Sequence, residues 1–262
     1  MVLSLIVSNV SSFFLFYRSW KTVFLIGQSS NSKLNDLVHE EASIYKDIVI
    51  GSFKETYRNL YMKMVFSLKW PLGQKCQASY ILKTDEDCFV NIGNLLNWLS
   101  NYHRANGTHP LYAGRVQPDM KVVRDKGSRY YVSEKDHPAE MFKPYVSGGG
   151  YVLSGILLPS LAKVSQRSPL FENEDALLGS LMHRLGVQPT DNNKFLPSIF
   201  CGISDIDRFR EANMCALSRQ IVLHGVKDKR QLEMHFNNAM LNYFPSLCSL
   251  ETNYEDMRDK CQ

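Results

Sequence analysis

An alternation of short apolar runs and amphipathic segments over residues 23–99 constrains the fold of this chain more than any other feature. The runs Val23–Gly27, Asp47–Ile50 and Tyr80–Thr84 have the length and residue types of buried strands. Between these runs, and after the last of them, apolar residues recur at helical spacing. Strands that alternate with helices favour a mostly parallel sheet covered by helices on both faces. The sequence therefore predicts an α/β fold.

Local signals predict where the first two helices begin and end. Ser32 is the expected N-cap of a helix whose apolar stripe, from Leu34 to Tyr45, faces the core. Ser52–Glu55 has the S-x-x-E form of a capping box, so the second helix is expected to begin there and to end before Pro71. With 262 residues, of which 44% are hydrophobic, the chain can bury a sizeable core, and we expect one domain.

The N-terminal run Val2–Tyr17 is mostly apolar, but it is interrupted by serines and Asn9 and has no basic segment before it. It is also shorter than the ~20 residues that a membrane-spanning helix needs. We therefore interpret this run as a first buried strand. Any membrane anchor of the natural protein is expected to be missing from this chain.

Three consecutive acids, Asp85, Glu86 and Asp87, follow the last of the predicted strands. Two carboxylates spaced i, i+2 at the end of a strand can share a divalent cation with the oxygens of a bound diphosphate, because hard cations take oxygen ligands. A solvated acidic turn that closes the strand is the alternative. An EF-hand loop is excluded, because Phe89 and Val90 stand where that loop needs an oxygen ligand and a glycine.

Charge and cysteine spacing narrow the possible function classes. Lys and Arg number 30 against 26 Asp and Glu, and no dense basic run with interleaved aromatic residues occurs, so nothing points to nucleic acid. Six cysteines form an even set without a C-x-x-C pair, which argues against a zinc site. Disulfides are allowed by this set, and their pairing stays open.

Three features of the second half of the chain are candidates for function. The consecutive glycines Gly148–Gly150 stand where backbone must approach a neighbour closely or bend, unless they form only a flexible loop. Glu174 and Asp175 are the first residues of a predicted helix. Carboxylates at this end stabilise a helix by capping and through its dipole. Alternatively, one of the two acids can act as a general base. His224 ends a predicted strand and is structural unless another metal ligand is independently expected.

Seven segments carry motifs in a fixed order along the chain. They are Val23–Gly27 (V-F-L-L-G), Glu41–Ile48 (E-x-x-x-Y-x-D-I), Phe53–Lys63 (F-x-D-x-Y-x-N-L-T-x-K), Leu82–Asn91 (L-K-x-D-D-D-x-F-V-N), the Gly-rich Tyr145–Ser154, Glu174–Gly179 (E-D-V-x-x-G) and Val222–His224 (V-x-H). Together they resemble the β1,3-galactosyltransferase family, glycosyltransferase family 31, which includes β1,3-N-acetylglucosaminyltransferases. No single motif is decisive, whereas seven in the right order are.

The resemblance implies a GT-A fold in one domain. A Rossmann-like nucleotide-sugar-binding half is expected over about residues 1–115 and an acceptor-binding half over about 116–262. The implied activity is that of an inverting, Mn²⁺-dependent hexosyltransferase, which moves galactose or N-acetylglucosamine from a UDP-sugar to a glycan of a glycoprotein or glycolipid in β1,3 linkage. The implied location is the Golgi membrane with the catalytic domain in the lumen, held by an N-terminal anchor that is not present in this chain.

The resemblance also assigns a role to each candidate residue. Asp87 and His224 are expected to ligate the metal, and Asp175 is expected to be the catalytic base. Residues expected to contact the donor are Asp85, Glu86, Lys83 and Arg18, and those expected in a loop that meets donor and acceptor are Gly148, Gly149, Gly150, Tyr151 and Glu174.

Departures from the family pattern leave alternatives open. Glu86 stands where Asp is usual, and of the family's R-x-A-I-R-x-T-W segment only Arg18–Trp20 is present. One alternative is a catalytically silent paralogue that binds UDP-sugar or glycan without transfer. Another is a sugar-binding or interaction module without a metal. The complete set of candidate acids and the candidate histidine favour an active transferase.

Overall fold

In a computed structural model of the chain, residues 3–8, 20–74, 78–196 and 217–240 are described. The strands are β1 (Leu3–Ser8), β2 (Trp20–Gln28), β3 (Ile48–Lys54), β4 (Tyr80–Asp85), β5 (Cys88–Val90), β6 (Tyr112–Gln117), β7 (Tyr145–Ser154), β8 (Thr190–Asp191), β9 (Phe195–Leu196) and β10 (Val222–His224). The helices are α1 (Ser32–Tyr45), α2 (Leu60–Gly73), α3 (Ile92–Asn106), α4 (Leu158–Ser165), α5 (Glu174–Arg184) and α6 (Lys229–Met240). None of these described helices has both the length and the apolar character needed to span a membrane.

The described residues form two compact units. The first contains the described residues up to Glu86 together with Thr108–Asn192, and the second contains Asp87–Gly107 together with the described residues from Asn193 onward. The boundary between the units therefore falls inside the acidic motif. The predicted division near residue 115 into donor and acceptor halves concerns function and stays a prediction.

Within the described residues, the first unit is built on a seven-stranded sheet with the order β3-β2-β1-β4-β7-β6-β8. β2 pairs with β3 in parallel, and so does β6 with β8. β1 is antiparallel to both β2 and β4, and β7 is antiparallel to both β4 and β6. The predicted α/β fold class is confirmed, while the prediction that neighbouring strands are mostly parallel is corrected to a mixed sheet.

The position of β1 explains much of this difference. β2, β3 and β4 do run in the same direction, as the alternation predicts, but β1 lies between β2 and β4 with Leu3 opposite both Leu25 and Asp85. The alternation predicts direction only for consecutive strands joined by a helix, and β1 precedes the first such pair. The predicted first strand is confirmed for Leu3–Ser8. Its remainder lies outside the described residues.

The core of the first unit lies between this sheet and three helices. α2, α4 and α5 pack against one another, α2 contacts β2 and β3, and α5 contacts β7. Buried apolar side chains such as Met64 and Leu177 from the helices and Leu25 from the sheet belong to one cluster. Tyr80–Thr84 of β4 are all buried, and Asp85 at the end of that strand is half-buried. The acidic motif therefore begins where β4 leaves the core.

The second helix begins later than its predicted capping box. β3 continues through most of that segment, and α2 begins only at Leu60. The Glu55 carboxylate accepts hydrogen bonds from the Gly27 backbone N–H at 2.6 Å and from Lys63 Nζ at 2.7 Å, so it has no part in a helix cap. α2 also continues through Pro71, where the helix gives up one backbone hydrogen bond near its end.

The first helix differs from its prediction in its cap and its burial. Asn31 rather than Ser32 is the N-cap, and its Oδ1 accepts a hydrogen bond from the Lys33 backbone N–H at 3.0 Å. The predicted core stripe is open: Leu37 is 60% exposed and Tyr45 is 67% exposed. α1 contacts β3, which is an edge strand of the sheet, so the described residues offer this stripe little surface to pack against.

The second unit contains, within the described residues, a three-stranded sheet with the order β5-β10-β9 and the helices α3 and α6. β10 pairs antiparallel with β5 and in parallel with β9. Phe89 and Leu223 lie opposite each other in the β5–β10 pair and are buried. The predicted strand ending in His224 and the predicted helix after it are confirmed.

Candidate active site

The buried part of β4 carries a lysine, Lys83, whose ammonium group is hydrogen-bonded within the first unit. Lys83 is 2% exposed, and its Nζ donates hydrogen bonds to Asp85 Oδ1 at 2.8 Å and to the Gly148 carbonyl oxygen at 2.6 Å. The same Nζ lies 5.7 Å from the centre of the Tyr151 ring, and Tyr151 stands opposite Lys83 in the β4–β7 pair. Lys83 therefore ties the end of β4 to the Gly-rich strand.

Lys83 is the counter-ion of several acids. Burial by itself lowers the pKa of Lys83, but the carboxylates of Asp85, Asp175 and Glu174 raise it by more, so the pKa lies above its ordinary value. The side chain consequently stays charged in its buried position. A buried charge is stable only when it is paired and hydrogen-bonded, and both conditions hold for Lys83.

Asp175 stands in the first turn of α5 but does not cap the helix. Asn173 is the N-cap, and its Oδ1 accepts a hydrogen bond from the Ala176 backbone N–H at 3.1 Å. Asp175 Oδ2 accepts a hydrogen bond from the Gly148 backbone N–H at 2.7 Å. Asp175 Oδ1 is buried and has no hydrogen-bond partner among the described residues. Capping therefore does not account for Asp175, and one of its oxygens is left for a further donor.

The two acids at the start of α5 are both shifted toward the protonated form. Burial raises the pKa of Asp175 well above its usual range, and the Glu174 carboxylate raises it further. Burial also raises the pKa of Glu174, an effect that Lys83 partly offsets. A carboxylate with a raised pKa is a stronger base than one in water. Strong shifts of this kind, caused by burial and a specific charged neighbour, are typical of catalytic acids and bases.

The Gly-rich segment is the middle of a strand, which corrects the expected loop. Gly148, Gly149 and Gly150 are buried within β7, and Gly150 pairs with Thr84 of β4. A Cβ atom on Gly148 would lie 2.3 Å from Asp175 Oδ1. Close backbone approach, rather than flexibility, is therefore the reason for glycine at this position. Contact of this strand with donor or acceptor stays a prediction.

The second unit contains three possible metal ligands that lie close together: Asp87, Cys88 and His224. The β5–β10 register places His224 opposite Cys88. Asp87 Oδ1 lies 3.2 Å from His224 Nε2, and one ligand atom from each of the three half-buried residues lies within 4.8 Å of the others. The Asp87 carbonyl oxygen accepts hydrogen bonds from the backbone N–H groups of Gly225 and Val226 at 2.9 and 2.8 Å, which holds the acid beside β10.

The donor atoms of this Asp87–Cys88–His224 cluster fit a divalent transition metal. Two atoms bound to one ion at about 2.1 Å lie roughly 3 Å apart when their bonds meet at a right angle. The 3.2 Å between Asp87 Oδ1 and His224 Nε2 agrees with that span. Carboxylate and imidazole ligands suit manganese as well as zinc, whereas thiolate favours softer ions. The structure thus brings the two predicted ligands together, and the identity of the metal stays a prediction.

The other predicted donor contacts occupy different positions. Asp85 is half-buried and paired with Lys83 in the first unit. Glu86, the next residue, is exposed. Arg18 lies outside the described residues. Their contacts with a nucleotide-sugar remain predictions.

The sequence patterns do not single out two residues that matter to these sites. Cys88 counts only as one of six cysteines until the register of β5 and β10 is known, and local spacing carries no information about that register. Asn173 could have been recognised, because Asn is among the preferred N-cap residues and precedes the helix directly.

Residues 11–193 match the family model described as galactosyltransferase. The chain belongs to the galactosyltransferase family. The match covers well over half of the chain and includes both Lys83 and Asp175, while His224 lies beyond it. The family resemblance drawn from the motifs is confirmed, and the mixed α/β architecture agrees with a GT-A-like fold.

Several mouse proteins are similar to this galactosyltransferase-family chain. β-1,3-galactosyltransferase 5 is 30% identical over 171 residues, covering 65% of the chain. β-1,3-galactosyltransferase 1 is 29% identical over 218 residues, covering 82% of the chain. β-1,3-galactosyltransferase 4 is 34% identical over 195 residues, covering 65% of the chain. The matches span 54%, 61% and 52% of these relatives, so the chain corresponds to little more than half of their length.

Proposed function

We propose that this chain is an inverting, metal-dependent hexosyltransferase that moves galactose, or N-acetylglucosamine, from a UDP-sugar to a glycan acceptor in β1,3 linkage. The observation that carries the proposal is the Asp175 carboxylate, which has one oxygen bound to the Gly148 N–H and the other buried without a partner among the described residues. The names of the relatives support galactose and a 1,3 linkage. From the motif resemblance alone, the proposal also includes an acceptor on a glycoprotein or glycolipid and a location in the Golgi lumen.

In the proposed reaction Asp175 is the general base. Its Oδ1 accepts a hydrogen bond from the acceptor hydroxyl and takes the proton as the hydroxyl oxygen bonds to the anomeric carbon of the donor sugar. The bond from that carbon to the diphosphate oxygen breaks, and UDP leaves with the electron pair. Attack on the face opposite UDP inverts the anomeric carbon, so an α-linked donor gives a β-linked product.

Lys83 and Glu174 are proposed to position and tune this base. Lys83 holds the Gly148 carbonyl oxygen at 2.6 Å, and the Gly148 N–H holds Asp175 Oδ2 at 2.7 Å. The backbone of the buried strand β7 therefore holds the Asp175 carboxylate in place and keeps its orientation fixed. Glu174 raises the pKa of Asp175, which strengthens the base.

Asp87 and His224 are the proposed ligands of the divalent ion, taken to be Mn²⁺. An ion bound by these two residues would neutralise charge on the departing UDP. Asp85, Glu86 and Arg18 are proposed to contact the donor.

Asp87→Ala tests the proposed metal site. We expect this variant to lose Mn²⁺-dependent UDP binding, because one of the two proposed ligands is gone. The fold should be retained, since the backbone carbonyl that Gly225 and Val226 bind is unchanged by the substitution. The measurement is UDP titration by calorimetry with and without Mn²⁺, with the melting temperature recorded for each protein.

Glu134→Ala is the matched control, because it removes an exposed carboxylate from the other unit. It should bind UDP as the wild type does. If Asp87→Ala also binds UDP and Mn²⁺ normally, or if it unfolds, Asp87 is a structural residue and the metal role is wrong. Metal-dependent UDP binding by a wild-type chain that transfers no sugar would support the silent-paralogue alternative.

Gly148→Ala tests whether close backbone approach positions Asp175. The added Cβ would lie 2.3 Å from Asp175 Oδ1 and 2.6 Å from Oδ2, so the carboxylate must move. We expect turnover to fall by about the 10²-fold that a misplaced catalytic group can cost. The measurement is the rate of sugar transfer at saturating donor.

Gly73→Ala is the control for that substitution, because an added Cβ there meets nothing within 4 Å. Its turnover should equal that of the wild type. Normal turnover in Gly148→Ala would show that the position of the carboxylate does not matter, which contradicts the assignment of Asp175 as base.

A further inference from the structure

We infer that the Cys88 thiol is a third protein ligand in the Asp87–Cys88–His224 cluster. The site should therefore favour borderline and soft ions such as Zn²⁺ over Mn²⁺ by a wider margin than a carboxylate and an imidazole alone would give. This inference rests on the proposed metal role of Asp87 and His224 and adds a residue to it. The family motif L-K-x-D-D-D-x-F-V-N fixes no residue type at the position of Cys88, so the motif itself assigns no role to this thiol.

Strand register places the thiol on the same face as the imidazole. Cys88 and His224 are direct partners in the antiparallel β5–β10 pair, and such partners have Cβ atoms about 4.5–5.5 Å apart on one face. The next pair, Phe89 and Leu223, points to the opposite face and is buried, at 8% and 1% exposure. Cys88 and His224 are half-buried and therefore accessible to an ion.

The carboxylate completes the group from the residue before β5. Asp87 Oδ1 lies 3.2 Å from His224 Nε2, and the three residues each offer a ligand atom within 4.8 Å of the others. Cys88 is a thiol rather than half of a disulfide. Three ligand types thus lie close together within one unit, on β5, on β10 and on the residue that precedes β5.

The chemistry of the three donors favours zinc-like ions. Zinc binds cysteine sulfur, histidine nitrogen and carboxylate oxygen, and sites with three protein ligands keep one position for an external group. Mn²⁺ binds most weakly among the divalent first-row ions, and a thiolate selects against it further. When the sulfur–metal bond forms, the thiol proton passes to solvent. The lack of a C-x-x-C pair speaks only against zinc sites built from cysteines that are neighbours in sequence, whereas His224 reaches this site through strand pairing.

Co²⁺ titration tests the thiolate directly, because a cobalt–thiolate bond gives a charge-transfer band in the near ultraviolet. We expect this band when Co²⁺ alone is added to the wild-type chain under reducing conditions. Asp87→Ala keeps all six cysteines and should lose the band if it arises from this cluster. Cys88→Ser should lose the band while still binding Co²⁺, as measured by calorimetry.

Competition between ions supplies a second measurement on the same proteins. Cys88→Ser should bind Zn²⁺ at least about tenfold more weakly, since even residues that only support a ligand cost that much. Its affinity for Mn²⁺ should change little, because Asp87 and His224 are intact. The change in the Zn²⁺ to Mn²⁺ ratio is the expected signature, and a general loss of folded protein would lower both affinities together.

The outcomes separate this inference from the proposed function. Co²⁺ binding that requires Asp87 but shows no thiolate band, or an unchanged Zn²⁺ to Mn²⁺ ratio in Cys88→Ser, overturns the role of Cys88 and leaves the Asp87–His224 site standing. Absence of any Asp87-dependent ion binding overturns both. If Cys88→Ser does not fold, the band in the wild type and its loss in Asp87→Ala still decide the matter.

Discussion

Asp175→Asn is expected to lower turnover by roughly 10²–10⁴-fold, the loss typical of removing a positioned general base. Asn has nearly the same shape as Asp. Its side-chain oxygen can still accept the hydrogen bond that the Gly148 N–H donates to Asp175 Oδ2 at 2.7 Å. The amide cannot take a proton from an acceptor hydroxyl. UDP-sugar affinity should therefore barely change. The melting temperature should stay the same or rise, because the amide carries no charge that burial would disfavour. The measurement is the rate of transfer from UDP-galactose at saturating acceptor, together with KM and a thermal melt.

The pH dependence of the wild type gives the same assignment a second test. Burial raises the pKa of Asp175, and a base acts only after losing its proton, so turnover should rise as pH increases through the titration of the Glu174–Asp175 pair. The folded chain also binds this proton more tightly than the unfolded chain does. Above the ordinary carboxyl range, stability should consequently fall as pH rises toward the raised pKa. Both trends should weaken in Asp175→Asn.

Two neighbouring residues supply controls for the base. Asn173→Ala removes the N-cap of α5 and should lower stability by about 1 kcal/mol with little effect on chemistry. Glu174→Gln should reduce turnover less than Asp175→Asn, because Glu174 changes the pKa of the base but does not itself take the proton. If Glu174→Gln were inactive and Asp175→Asn fully active, Glu174 would be the base. We would then abandon the assignment of Asp175.

Much of the fold follows from the periodicity of the sequence, and the exceptions have identifiable physical causes. β2, β3 and β4 and the helices after them follow from alternating apolar runs. The capping-box pattern fails because the Glu55 carboxylate is bound by Gly27 and Lys63, both of which lie outside its local segment. The predicted burial of the apolar stripe of α1 is wrong, because amphipathicity shows that a helix has an apolar face but not that the sheet extends beneath it.

The candidate site shows a similar division between local and tertiary information. Motif order identifies Asp175 and His224, since each stands at a recognisable element end. The link between Gly148 and Asp175 is not legible in sequence, because it depends on how β7 lies against the start of α5. Three consecutive glycines suggest a loop, yet here they allow a strand to carry its backbone up to a carboxylate. Cys88 likewise becomes a candidate ligand only through strand register.

Lys83→Met is expected to destabilise the fold by about 3–5 kcal/mol, the range for removing one partner of a buried ion pair. Met fills a similar volume, but Asp85 Oδ1 loses a hydrogen bond of 2.8 Å and the Gly148 carbonyl one of 2.6 Å. Turnover should also fall, because Gly148 holds Asp175. Chemical denaturation at fixed pH measures the stability. Arg58→Met, which breaks the exposed pair with Glu172, is the control and should cost about 0–1 kcal/mol.

A double variant distinguishes this internal role from the donor contact that the family resemblance assigns to Lys83. If the lysine mainly neutralises Asp85, then Asp85→Asn should cost much less in the Lys83→Met background than in the wild type, because residues joined in one ion pair are not additive. If the lysine instead reaches the donor, Lys83→Met should be as stable as the wild type and raise KM for the UDP-sugar. The second result would show that the hydrogen bond from Lys83 to the Gly148 carbonyl does not stabilise the fold, and the position of Asp175 would then need another support.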